Sequence, residues 1–340
     1  MGNDSTLDRR RFLAGMVTAA AASQLGMADV APGPARAAAA GPSPASGARG
    51  SFGALKHVDA GLLNVAYAEV GPPQGDAVIL LHGWPYAPRL ASAGYRVIIP
   101  HLRGYGATRF LSADTFRNGQ PSALASDTIA LMDALQIRQA ILAGFDWGAR
   151  TADIIAALWP ERCKALVSVS GYLIGSQEAG KLPLPPNAEL QWWYQFYFAT
   201  ERGRAGYEKY RDDFAKLIWQ LASPKWKFDD ATFARSAASF ANPDHVTIVI
   251  HNYRWRLGIA EGESKYADVE KRLAGAPVIT VPTITLEGDA NGAPHPDPSS
   301  YARKFTGRYA HRLVSGGIGH NLPQEAPQDF TDAILEVARS

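Results

Sequence analysis

A single cysteine, Cys163, in a chain of 340 residues removes two kinds of chemistry at once. No intramolecular disulfide can form, and no thiolate cluster can hold a zinc ion. Beside the apolar run Ala165-Leu166-Val167, Cys163 reads as a small core residue. Excess charge of one sign is lacking too. Thirty-four basic residues against 32 acidic ones leave a net charge of +2. That balance provides no electrostatic footprint for nucleic acid or an anionic membrane. No apolar run is long and strong enough for a good membrane span. The H-E-x-x-H pattern is absent, so no metal is expected. What is present is a globular composition, 46% hydrophobic and 19% charged. The length suits one large domain, or a core with an inserted subdomain.

The N-terminus reads as a targeting segment. Asp8-Arg9-Arg10-Arg11-Phe12-Leu13 resembles the twin-arginine export motif, and a mildly apolar stretch, Ala14 to Ala22, follows it. Ala35-Arg36-Ala37 is an A-x-A cleavage candidate. Residues 1–40 are therefore set aside as a signal peptide and residues 41–53, rich in Gly, Pro, Ser and Ala, as a linker. The expected destination is the periplasm or the exterior. The twin-arginine route carries folded proteins, so a chain without disulfides suits it.

From residue 54 the pattern alternates. Leu62 to Val70 reads as an early strand. Ala77 to Leu81 and Tyr95 to Pro100 are short continuous apolar runs, as expected of strands buried on both faces. Ala123 to Leu135 has helical spacing. Strand 139–143, helix 149–158 and strand 164–169 follow. This order predicts an α/β fold with a mostly parallel, doubly wound sheet. The pattern changes after Tyr172: residues 190–256 hold sixteen of the chain's 34 aromatics at helical spacings. We read 54–172 and 266–340 as two halves of one core, and 173–265 as a helical cap inserted between them. Strand signals resume at 278–280, 283–286 and 310–314, before a closing helix at 326–338.

Gly144-Phe145-Asp146-Trp147-Gly148 lies between a strand-like and a helix-like run. Strand, glycine-flanked turn and helix make the nucleophile elbow of α/β-hydrolases, with aspartate where serine is usual. A carboxylate there can attack a saturated carbon and form an alkyl ester. The matching acid and base follow in the order that fold expects: Asp289 in Leu286-Glu287-Gly288-Asp289, then His320 in Gly316-Gly317-Ile318-Gly319-His320. The expected roles are Asp146 as nucleophile, His320 as base for a hydrolytic water, and Asp289 as the group that orients His320. Backbone N–H groups of Trp147 and of Trp84, in His82-Gly83-Trp84-Pro85, would form the oxyanion hole. His82 reads as support for its loop, and His57, His245, His295 and His311 as surface residues.

These motifs resemble the epoxide hydrolase branch of the α/β-hydrolase superfamily over residues 55–340. The resemblance implies two cap tyrosines that polarise an epoxide oxygen. Trp193-Tyr194-Gln195-Phe196-Tyr197-Phe198 nominates Tyr194, with Tyr197 in reserve, and Asn252-Tyr253-Arg254 nominates Tyr253. It implies a small, apolar epoxide as substrate. The sequence leaves a homo-oligomer open. One departure stands out: only ten residues, 85–94, separate Trp84 from Tyr95, room for one or two helical turns. The competing readings are a haloalkane dehalogenase with the same nucleophile, and a non-catalytic or inactivated hydrolase-fold protein. A serine esterase is disfavoured because G-x-S-x-G is absent.

Overall fold

The structure, a computed structural model, describes residues 54–82 and 87–340. The export signal, the linker and Trp84 lie outside the described residues. Among the described residues nine strands form one sheet: β1 (Lys56–Ala60), β2 (Leu63–Val70), β3 (Ala77–Leu81), β4 (Arg96–Pro100), β5 (Arg109–Phe110), β6 (Ala140–Gly144), β7 (Cys163–Val169), β8 (Thr283–Gly288) and β9 (Tyr309–Val314). Their spatial order is β1-β2-β4-β3-β6-β7-β8-β9, with β5 paired to β2. Strands β1, β2 and β5 run antiparallel to their partners, and every pairing from β4 to β9 is parallel. Every residue of β3 and β6 is buried, which explains their unbroken apolar composition: helices cover both faces.

Three core helices belong to the first half: α1 (Ala87–Ser92), α2 (Pro121–Ala134) and α3 (Trp147–Leu158). The short 85–94 segment does hold one small helix. Leu90 anchors α1 in the core, and β3 and β4 still pair in parallel around this brief crossover.

Between β7 and β8 the chain is helical: α4 (Gln177–Gly180), α5 (Pro186–Gln191), α6 (Trp193–Ala199), α7 (Glu201–Lys209), α8 (Arg211–Ala222), α9 (Asp230–Ala237), α10 (His245–Arg256) and α11 (Ala267–Ala274). Aromatic rings hold these helices together. Phe198, Tyr207 and Phe214 lie with centroids 5.0–5.1 Å apart, and Phe198 is 5.3 Å from Tyr253. After β8 come α12 (Pro298–Tyr301), α13 (Leu322–Glu325) and α14 (Pro327–Val337).

Three readings change. Residues 278–280 make only one bridge, Ile279 to Phe305, because Pro277 and Pro282 flank the segment and offer no N–H for a ladder. Strand β1 was hidden by its exposed, charged residues at the sheet edge. His245 is buried, not on the surface. Its Nδ1 lies 2.9 Å from the Gly104 carbonyl, so that nitrogen donates and Nε2 accepts from the Tyr207 hydroxyl at 2.8 Å. His245 thereby joins α10 and α7 to the loop after β4.

Candidate active site

Asp146 sits at the turn between β6 and α3 with φ 52° and ψ −123°. A non-glycine residue there is strained, at a cost on the order of 1–3 kcal/mol. The packing around the turn imposes the strain. A Cβ on Gly144 would meet the Gly148 carbonyl carbon at 2.5 Å, and one on Gly148 would meet the Leu81 carbonyl oxygen at 2.2 Å. Helix α3 can therefore press onto β3 and β6 only with glycine at both places, and the sharp turn lifts the Asp146 side chain out, 53% exposed. Trp147 is the first residue of α3, so its N–H has no acceptor within the helix and stays available for an oxyanion.

His320 comes from the loop after β9, its Nε2 3.9 Å from the Asp146 Oδ1. The edge of Phe145 faces its ring at 6.2 Å. From the helical segment above, Tyr253 brings its ring to 6.2 Å from Trp147 and 5.4 Å from Tyr194, nearly perpendicular to the latter. Burial raises the pKa of both phenols; for Tyr253 the Asp146 charge is the next cause, and for Tyr194 the Tyr253 phenol and then Asp146. Both hydroxyls therefore stay protonated and able to donate. Asp146, Trp147, His320, Tyr194 and Tyr253 thus converge. Tyr197 instead stacks on Phe214 at 6.1 Å, a packing role.

Asp289 does not join them. It is exposed, and its carboxylate accepts from three successive backbone N–H groups, Gly316 at 3.0 Å, Gly317 at 2.8 Å and Ile318 at 2.9 Å. Gly316 and Gly317 have φ of 117° and 83°, and their N–H groups make an anion-binding concavity. That concavity, with the Gly316 N–H foremost, lowers the Asp289 pKa. The His320 Nδ1 is buried without a hydrogen-bond partner in the structure. The spacing of Asp289 after a strand led to a role as orienter of His320; the structure gives its carboxylate to the loop just before His320 instead.

A family model of the alpha/beta hydrolase fold matches residues 76–225. The chain is 36% identical over 320 residues to the epoxide hydrolase of Caballeronia sordidicola, covering 85% of this chain and 95% of that one. The chain belongs to the epoxide hydrolase family of the α/β-hydrolase superfamily. A crystal structure of a candidate epoxide hydrolase from Klebsiella pneumoniae subsp. pneumoniae is 64% identical, superposes with a TM-score of 0.83, and is matched over 85% of this chain and 98% of that one. Epoxide hydrolase B of Mycobacterium tuberculosis is 35% identical over 156 residues, 39% of this chain and 43% of that protein. The chain thus spans under half the length of that relative.

In this epoxide hydrolase family member the loop carrying His320 is fastened to the helical segment by groups no sequence motif announced. The Ala222 carbonyl, at the end of α8, accepts from the N–H of His320 at 3.2 Å and of Gly292 at 2.8 Å. The Ser223 hydroxyl donates to Glu325 at 2.7 Å and accepts from the Asn321 side chain at 3.0 Å. Glu325 also accepts from the Gly319 N–H at 2.8 Å. Three segments distant in sequence meet here, so no local spacing could have revealed the contact.

Proposed function

We propose that this chain opens an epoxide to a vicinal diol through a covalent ester on Asp146, with no cofactor. The observation that carries the reading is an aspartate at a strained elbow facing two protonated phenols. In the first step an Asp146 oxygen attacks an epoxide carbon and the ring C–O bond breaks. The leaving oxygen is held by the Tyr194 and Tyr253 hydroxyls and takes a proton from one of them. In the second step a water attacks the ester carbonyl. His320, its Nε2 3.9 Å from the Asp146 Oδ1, takes the water's proton. The Trp147 N–H, with the proposed help of the Trp84 N–H, stabilises the oxyanion; as it collapses, protonated His320 gives its proton to the departing diol oxygen, and the water's second proton returns to the tyrosinate as the Asp146 carboxylate re-forms. Asp289 belongs to this proposal as a positioning group for the His320 loop.

Two phenols suit an oxygen leaving group better than a halide, which favours an epoxide over a haloalkane. We further propose export by the twin-arginine route, on the strength of Arg9-Arg10-Arg11-Phe12-Leu13. Cleavage of the N-terminus during export, blocked by replacing Arg9 and Arg10 with lysine, tests it. The catalytic reading is tested by rapid-quench mass spectrometry with styrene oxide. The expected result is an adduct on Asp146 that accumulates in His320→Gln. No adduct and no diol over a panel of epoxides would favour a non-catalytic protein, and halide release from haloalkanes without diol formation a dehalogenase.

A further inference from the structure

Two guanidinium groups approach the proposed site without an acid to pair them. Arg150 lies on the first turn of α3, where its N–H donates to the Asp146 carbonyl at 3.1 Å. It is three residues after Trp147, so both share the face that Tyr253 covers. Helical side chains lean toward the helix N-terminus, which carries Arg150 back over the elbow. Arg256 comes from the other side, on α10, one turn beyond Tyr253. Its guanidinium lies 5.5 Å from the Tyr253 ring and 5.5 Å from the Trp192 ring. Both arginines are partly buried. Among the described residues neither makes a hydrogen bond or ion pair through its guanidinium. By contrast, Arg103 is paired with Asp127 and Arg117 with Asp244.

The strain between the two is electrostatic. Burial, and next the Arg256 charge, lower the Arg150 pKa to about 10. The Asp146 charge, and less so that of Asp153, offset this only in part. Asp153, one turn further along α3, turns its Oδ2 to the Leu173 N–H at 2.7 Å, and burial raises its pKa to about 7. Two cations near the Asp146 carboxylate, neither closed into an ion pair among the described residues, make a place for an oxyanion supplied from outside.

Resting on the epoxide reading above, we propose that the substrate is an epoxide bearing a carboxylate, held by Arg150 and Arg256 while Asp146 attacks the ring. The aromatic walls take the apolar body, and the arginines take the charged end. The charge they supply also offsets the repulsion that a carboxylate substrate would otherwise meet from Asp146.

The test compares trans-3-phenylglycidate with 3-phenylglycidol, in which a neutral hydroxymethyl replaces the carboxylate. The wild type is expected to favour the glycidate in kcat/KM by at least tenfold. In Arg150→Gln and in Arg256→Gln that preference should fall by at least tenfold, chiefly through KM for the glycidate, and Arg150→Lys should restore part of it. Thermal melting of each variant separates a binding defect from unfolding. Hydrolysis of both substrates with no preference, or with a preference that survives both substitutions, overturns the carboxylate proposal and leaves epoxide hydrolysis standing. Hydrolysis of neither substrate, nor of styrene oxide, overturns both.

Discussion

Asp146 is strained because it must present a carboxylate at the crest of a turn, and the rest of the site follows from that placement. Burial foremost, with the Asp146 charge adding to it, keeps Tyr194 and Tyr253 protonated, which fits them for the proposed role of proton donors. Tyr194→Phe and Tyr253→Phe are each expected to slow ring opening by roughly one to three orders of magnitude, as for loss of a general acid. Single-turnover kinetics with styrene oxide measures that step alone, and normal turnover in the double variant would remove both tyrosines from the mechanism. For Asp289 the expectation is the opposite of a triad acid. Its carboxylate binds the Gly316–Ile318 backbone, so Asp289→Asn should reduce diol formation by less than tenfold. A loss of roughly 10⁴-fold, the size seen when a triad aspartate is removed, would return Asp289 to His320.

At the scale of elements, the site depends on joints between pieces that carry no catalytic group. The loop after β4 is clamped to α2 by a buried ion pair. The Arg103 Nε and Nη2 donate to Asp127 at 2.5 and 2.6 Å, and Nη1 donates to the Asn118 carbonyl at 2.7 Å. A buried pair of this kind is weak evidence of net stabilisation, but breaking it strands a charge. Asp127→Asn is therefore expected to lower unfolding free energy by about 3–5 kcal/mol, read from urea denaturation. Replacing both partners by apolar residues, Arg103→Met with Asp127→Leu, should recover much of that loss. A second joint ties the end of α8 to the His320 loop through Ala222, Ser223 and Glu325. The helical segment that supplies the tyrosines thus also holds the loop of His320, the proposed base.

At the scale of the whole molecule, one buried acid couples stability to pH. Asp153 is fully buried on α3, its Oδ1 lacks a partner, and its pKa is raised to about 7 by burial. A native group that holds its proton where the unfolded chain, near pKa 3.8, has lost it makes stability fall as pH rises through that interval. Stability should therefore decline between about pH 4 and pH 7 by a few kcal/mol. Asp153→Asn should flatten that slope, with its advantage over the wild type appearing at pH 8 and absent at pH 4. Urea denaturation at both pH values measures this, and parallel pH profiles for the two proteins would exclude Asp153 as the cause.

Much of this architecture was legible because its causes are local. A strand buried on both faces must be apolar throughout, so Ala77–Leu81 and Ala140–Gly144 announce themselves. An elbow pressed between β3 and α3 must carry glycine at 144 and 148, so Asp146 stands out between them. Sequence alone therefore determined the parallel sheet, the inserted helices, the aspartate at the elbow and the order of the candidate residues. Tertiary structure decided what depends on competition between partners distant in the chain. A carboxylate after β8 could meet an imidazole or a backbone concavity, and three N–H groups held Asp289. A histidine could lie in solvent or in a core, and the Gly104 carbonyl with Tyr207 claimed His245. An arginine on α3 could close an ion pair or lack one, and the fold pairs Arg150 with no carboxylate among the described residues while α10 sets Arg256 over the Tyr253 ring.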